Sequence, residues 1–128
     1  MFDLERTNKF LNKNNMNEPI LVEGIKDKKC LSKLGFKNVY PISGKSVPEI
    51  IDELSLFRSI VILTDFDAEG KKKAKLLNKL FESHGIKINT KFRYDFFSVF
   101  RIYKVEELKG FFKFSEKVHF NAAANRLV

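Results

Sequence analysis

Three carboxylates fall within five positions of the stretch VILTDFDAEGKKKAKLL, at Asp65, Asp67 and Glu69, directly after a continuously apolar run. A second apolar run, ILVEG, ends on another carboxylate, Glu23. Oxygen donors with no His or Cys beside them suit a hard divalent cation, Mg²⁺ first and Mn²⁺ second, rather than zinc. Two unit charges about 4 Å apart at an effective dielectric near 20 repel by about 4 kcal/mol. If the fold brings these groups together, a cation is therefore expected among them.

Whether it does depends on the elements that carry them. ILV, residues 20–22, and SIVILT, residues 59–64, read as buried strands, the second apolar and β-branched throughout as in the middle of a parallel sheet. NVYPI and IKINTKF supply two more strands. Between them lie helices. KDKKCLSKLG carries Cys30, Leu31 and Leu34 on one face and stops at Gly35; SVPEIIDELSLF opens with a Ser46–Glu49 capping box and Pro48 in its first turn. Gly70 to His84 is predicted as a long helix with Ala74, Leu77, Leu80, Phe81 and His84 in its apolar stripe, and Gly85 ends it. The β-α-β-α-β-α-β order implies parallel strands with right-handed crossovers and helices over the sheet. In such sheets functional groups gather beyond the carboxyl ends of the strands, where strand order reverses. With strands one and three as neighbours and strand two outside strand one, Glu23 faces Asp65 and Asp67.

Other readings of DFDAEG compete. In an EF-hand loop the twelfth position falls on Leu76, where a bidentate Glu is required. A haloacid dehalogenase places its D-x-D after the first strand, followed by Thr or Val rather than AEG. The plainest alternative is a helix anchor, with the acids at the positive end of the following helix; the matched Glu23 weighs against it.

ILVEG followed by VILTDFDAEG resembles the Toprim domain, shared by type IA and type II topoisomerases, bacterial primases, OLD-type nucleases and the ribonucleases that mature the smallest ribosomal RNA. Its signature is a Glu-Gly after the first strand and a D-x-D after the third, here Glu23-Gly24 and Asp65/Asp67. VEGIKD is similar to the nuclease and primase branches, which gives Asp27 a supporting role, and DFDAEG is similar to the D-x-D-x-E-G of type IA topoisomerases, which adds Glu69 and a supporting Gly70. Small stand-alone Toprim proteins of archaea resemble the chain through LTDFDAEGKKKAKLL to GIKINTKFR. The resemblance implies a Rossmann-like three-layer α/β fold with a four-stranded, mainly parallel sheet. It divides the chain into an N-terminal helix (1–17), a Toprim core (18–93) and a short helical C-terminal extension (94–128). It further implies Mg²⁺-dependent phosphodiester chemistry on RNA or DNA, endonuclease-like. Glu23, Asp65 and Asp67 would be catalytic. Asp65, Asp67 and Glu69 would hold metal, with Glu23 as general acid/base or shared ligand. Gly24 and Gly44 would let backbone approach phosphate, and Lys26, Lys45, Lys71 and Lys72 are candidate phosphate contacts. The tyrosine nucleophile of topoisomerases sits on a separate domain and primases carry a zinc module, neither visible in these 128 residues. The alternative is a non-catalytic nucleic-acid- or ribonucleoprotein-binding module, or a primase or repair accessory subunit working with protein partners.

The remaining composition fits. A formal net charge of +8 favours a polyanionic partner, since neutralised phosphates release counterions. No apolar run is long enough to span a bilayer and no secretory leader is visible, so a cytoplasmic protein without membrane contact is expected, as monomer or homodimer. Cys30 is the only cysteine and reads as a small buried packer; His84 reads as a helix-end cap. Phe96, Phe97, Phe100 and Tyr103 are spaced as one face of a helix, with a second short helix near 105–112. That Phe-rich stretch reads as core or dimer packing before it reads as a base-stacking surface. The tyrosines 40, 94 and 103 read as core packing, and EKVHFNAAANRLV as loose structure.

Overall fold

The computed structural model describes residues 2–118. Six helices, α1 (Leu4–Lys13), α2 (Ile25–Lys33), α3 (Val47–Leu54), α4 (Ala68–Ser83), α5 (Thr90–Phe100) and α6 (Leu108–Lys117), accompany four strands, β1 (Ile20–Val22), β2 (Val39–Pro41), β3 (Ser59–Ile62) and β4 (Lys87–Ile88). A single 3₁₀ turn, Val105–Glu107, leads into α6. The sheet order is β2-β1-β3-β4 and every pairing is parallel. The chain leaves β1 toward one edge and returns through β3 on the other side. The strand ends of β1 and β3 therefore flank the point where strand order reverses.

Alternation along the two central strands splits the core into two layers. Ile20, Val22, Val61 and Leu63 pack with Phe10 and Leu11 of α1, Leu31 of α2, and Phe92, Phe96 and Phe100 of α5. Leu21, Ile60 and Ile62 pack on the opposite face with Ile50 and Leu54 of α3 and Ala74 and Phe81 of α4. Both faces are covered, which is why these strands read as unbroken apolar runs. Helix starts follow the local chemistry. Ser46 and Glu49 form the expected box at α3, and the Asp3 carboxylate accepts from Arg6 N–H at α1. Cys30 is buried, and His84 closes α4 with Nδ1 2.9 Å from the Leu80 carbonyl oxygen.

Four expectations change. The fourth strand is not IKINTKF but Lys87–Ile88 alone, because Asn89 accepts from Phe92 N–H and turns the chain into α5. Helix α4 begins at Ala68, with Asp67 as its cap, not at Gly70. Tyr103 does not continue the aromatic face of α5, since Arg101 adopts a left-handed conformation (φ 53°) and ends that helix after Phe100. Of EKVHFNAAANRLV, expected as loose, Glu116 and Lys117 instead complete α6, and residues 119–128, His119 among them, lie outside the described residues. Among the described residues no helix is long and apolar enough to cross a membrane.

Candidate active site

Glu23 leaves the end of β1, and Asp65 follows β3. Although 42 positions separate them, the Asp65 backbone N–H donates to Glu23 Oε2 at 2.9 Å. The other oxygen, Oε1, lies 2.7 Å from Lys73 Nζ. Lys73 sits on α4 four residues after Glu69 and also reaches that carboxylate at 3.5 Å. Burial raises the Glu23 carboxyl, but Lys73 and the Asp65 N–H outweigh it and hold Glu23 below the usual carboxylate range. Asp65 is pushed the other way, first by burial and then by the charges of Glu23 and Asp67; its Oδ1 accepts from Val105 N–H at 3.0 Å. Asp67 Oδ1 accepts from Gly70 N–H at 2.8 Å and caps α4. Asp65 and Asp67 each keep one carboxylate oxygen that accepts no hydrogen bond among the described residues.

Gly70 fixes how closely α4 approaches the strand end. A Cβ there would lie 2.9 Å from Asp65 Cα, 2.5 Å from its carbonyl carbon and nearer still to its oxygen. The Gly70 carbonyl in turn accepts from the buried Thr64 hydroxyl at 2.6 Å. Only glycine lets the first turn of α4 sit against the Asp65 backbone. Arg93 of α5 completes the scaffold. Its guanidinium donates to the carbonyls of Thr64 at 2.6 Å and Asp65 at 2.9 Å, and reaches that of Ile62 at 3.5 Å. It thus serves carbonyls beyond the point where β4 stops pairing, and so explains how so short a strand is tolerated.

A family model for the Toprim domain matches residues 17–90. The chain belongs to the Toprim family. It is 34% identical over 103 residues to the UPF0292 protein MJ1624 of Methanocaldococcus jannaschii, spanning 78% of this chain and 80% of that one. A UPF0292 protein of Thermococcus sibiricus is 33% identical over 99 residues, 75% and 79% of the two chains. A solved protein of Aquifex aeolicus is similar at TM-score 0.70 and 34% identity, over 82% of this chain and 97% of that one.

With the Toprim signature placed on this geometry, the acidic residues take distinct positions. Glu23, Asp27 and Asp65 line a cleft of about 380 Å³ together with Lys26, Lys104 and Glu106. Asp27 is buried, its Oδ2 accepting from Gly24 N–H at 3.0 Å. Burial first, then the charges of Asp65, Glu23 and Glu106, raise it to about 6. Glu69 is exposed and turned to Lys73. Among the described residues no three acidic, His or Cys side chains stand as a ready-made metal cage. The four carboxylates are not left to a cation alone: Lys73 supplies a positive charge to two of them, Glu23 and Glu69. The helix-anchor reading of Asp67 holds as well, since that residue caps α4.

The glycines and lysines also separate. Gly24 has φ −141°, and a Cβ there would meet only Asp27 Oδ2 at an ordinary contact distance of 3.9 Å, so its conformation does not demand glycine. Gly44 does, at φ +79°. Lys26 lines the acidic cleft; Lys45 pairs with Glu53 at 2.5 Å; Lys71 lines a different cavity; Lys72 is exposed and makes no ion pair among the described residues. Lys73, Arg93, Lys104 and Glu106 escaped the sequence reading. Lys73 had a signal: Glu69 and Lys73 are spaced i, i+4, a helical pair on the side the motif faces.

The donor set fits magnesium. Mg²⁺ keeps several waters and binds through one or two carboxylates plus substrate phosphate, so it needs no all-protein cage. The unengaged oxygens of Asp65 and Asp67, with Glu23 beside them, are the residues that would hold it.

Proposed function

We propose that the protein carries out Mg²⁺-dependent phosphodiester chemistry on nucleic acid, as an endonuclease-like enzyme. The supporting observation is the 2.9 Å hydrogen bond from Asp65 N–H to Glu23, which joins the two halves of the Toprim signature at one strand-end crevice. A bound Mg²⁺ supplies charge neutralisation at a scissile phosphate, a more acidic attacking water and support for the leaving oxygen. The chain's own residues do the rest. Glu23, kept ionised by Lys73 and the Asp65 backbone, would orient an attacking water or share the metal. Lys26 and Lys104 at the cleft draw the phosphate backbone toward it. Thr64, Gly70 and Arg93 hold the Asp65 backbone still.

The test is a cleavage panel over single- and double-stranded RNA and DNA with Mg²⁺ or Mn²⁺, wild type beside Asp65→Asn and Glu23→Gln. Metal-dependent scission lost in both variants supports the proposal. A second reading has its own observation: Lys73 already partners Glu23. A binding module that kept the fold but not the turnover would bind salt-sensitively and leave every strand intact.

A further inference from the structure

Beyond its core face, helix α5 carries an exposed aromatic side chain, Tyr94, that neither the core nor the acidic cleft uses. Its buried ribbon is Phe92, Phe96 and Phe100. Tyr94 points elsewhere and is 75% exposed. Beside it opens a cavity of about 280 Å³ lined by Phe66, Lys71, Thr90, Arg93, Tyr94 and Phe97. The Phe66 and Phe97 ring centroids are 5.1 Å apart, and Phe97 leads on to the half-exposed ring of Tyr103 at 5.9 Å. Arg93 lies 4.4 Å from the Phe66 centroid while bonding the Asp65 carbonyl. Phe66 itself stands between Asp65 and Asp67 in the chain. The cavity and the acidic cleft are therefore both lined from one short loop.

We propose that this cavity is a stacking site for one unpaired nucleobase of a nucleic-acid strand whose backbone reaches the acidic cleft. The inference rests on the reading of nucleic acid as substrate. Three features select this occupant. The exposed ring of Tyr94 accepts any base because every base has a π-face, while buried Phe66, stacked on Phe96, forms the cavity wall. The polar groups at the cavity are cationic or hydroxyl, namely Lys71, Arg93 and Thr90, with no carboxylate among its lining, which suits the sugar-phosphate attached to a base. The cavity, about 280 Å³, has room for one base, and the site is joined through Phe66 and Arg93 to the loop bearing the proposed phosphate site. A duplex keeps its base faces stacked inside, so the cavity discriminates for single-stranded or locally opened substrate.

The experiment measures binding of the full chain to short labelled oligonucleotides in EDTA, so that no cleavage intervenes. The probes are single-stranded RNA, single-stranded DNA, the corresponding DNA duplex, and a single strand carrying 2-aminopurine. Tyr94→Ala is expected to weaken single-strand binding about 5- to 100-fold, while Tyr94→Phe stays within about twofold because the ring is kept. Duplex affinity and the salt slope should not move, since no phosphate contact is removed. The factor should be the same for RNA and DNA, because the face of the base is what is read. 2-Aminopurine should change fluorescence on binding wild type and not Tyr94→Ala. At 75% exposure the substitution spares the core, and a thermal melt verifies it. Equal loss on duplex and single strand, no loss at all, or no binding to any probe at low salt overturns the proposal. If Tyr94-dependent binding is present but metal-dependent cleavage is absent, the phosphodiester reading fails and this one stands.

Discussion

Gly70→Ala sets two effects of opposite sign against each other. Gly70 is the third residue of α4, and in a helix Ala is favoured over Gly by about 1 kcal/mol. A reading from propensity alone therefore expects a more stable protein. The local geometry says the reverse. The new methyl would lie 2.5 Å from the Asp65 carbonyl carbon and 2.9 Å from its Cα, backbone atoms held in place by Arg93. Relief requires α4 to move away from the strand end. That movement strains the buried Thr64–Gly70 hydrogen bond, whose loss costs about 1–3 kcal/mol. It also strains the Asp67 cap, which contributes about 0.5–2 kcal/mol. Set against the helix gain, the net is a destabilisation of about 0.5–4 kcal/mol. Urea unfolding measures it directly, and Gly70→Ser should behave alike because the clash is with Cβ. A Gly70→Ala protein as stable as wild type, or more so, would refute the argument that glycine is present for close backbone approach.

Two further perturbations separate the charges of the cleft. Lys73→Met removes an ion pair with Glu23 that is half open to water on the lysine side, so solvent limits its contribution to about 1 kcal/mol. Because Lys73 and a metal ion would share Glu23, Mg²⁺ affinity without nucleic acid should rise about fivefold, read by calorimetric titration; unchanged or weaker affinity sinks the competition. Asp27→Asn addresses pH. Burial raises Asp27 from 3.8 to about 6, so the folded protein holds this proton more tightly than the unfolded chain. Its contribution to stability is full below about pH 4 and is lost as pH rises through about 6. The variant, with no proton to lose, should exceed wild type at pH 8 by up to about 3 kcal/mol and converge with it near pH 3. Denaturant midpoints at the two pH values check this, and a pH-independent difference would exclude it.

The parts of the site legible in the sequence are those fixed by strand register and by which strands neighbour one another. Ile20–Val22 and Ser59–Ile62 announce themselves as doubly buried strands, and once β1 and β3 are adjacent, Glu23 and Asp65 must meet. The end of the sheet was harder. IKINTKF alternates like a strand, but Asn89 caps a helix and Arg93 replaces the backbone partners that a longer β4 would have provided. No local pattern marks a side chain that substitutes for a strand. Aromatic spacing misled for a similar reason. Phe96, Phe97, Phe100 and Tyr103 fit one helix face, yet a single left-handed residue, Arg101, cuts the run, and Tyr94 and Tyr103 end up outside the core.

Four gathered carboxylates call for an external cation on the sequence alone; the fold answers part of that need internally with Lys73 on α4, paired to Glu23 and Glu69. Among the described residues, one oxygen each of Asp65 and Asp67 still accepts no hydrogen bond, although the Lys104 charge bears on Asp65. Two carboxylate oxygens are few for a divalent ion in water but sufficient for Mg²⁺ that also contacts phosphate. On the proposed function, metal and nucleic acid would then strengthen each other's binding, since each completes the site for the other. Lys73 would enforce that coupling by keeping Glu23 engaged until a cation competes for it. The overall charge of +8 fits the same logic: the basic surface would concentrate the polyanion, and the small acidic pocket would hold the ion more tightly once phosphate has arrived.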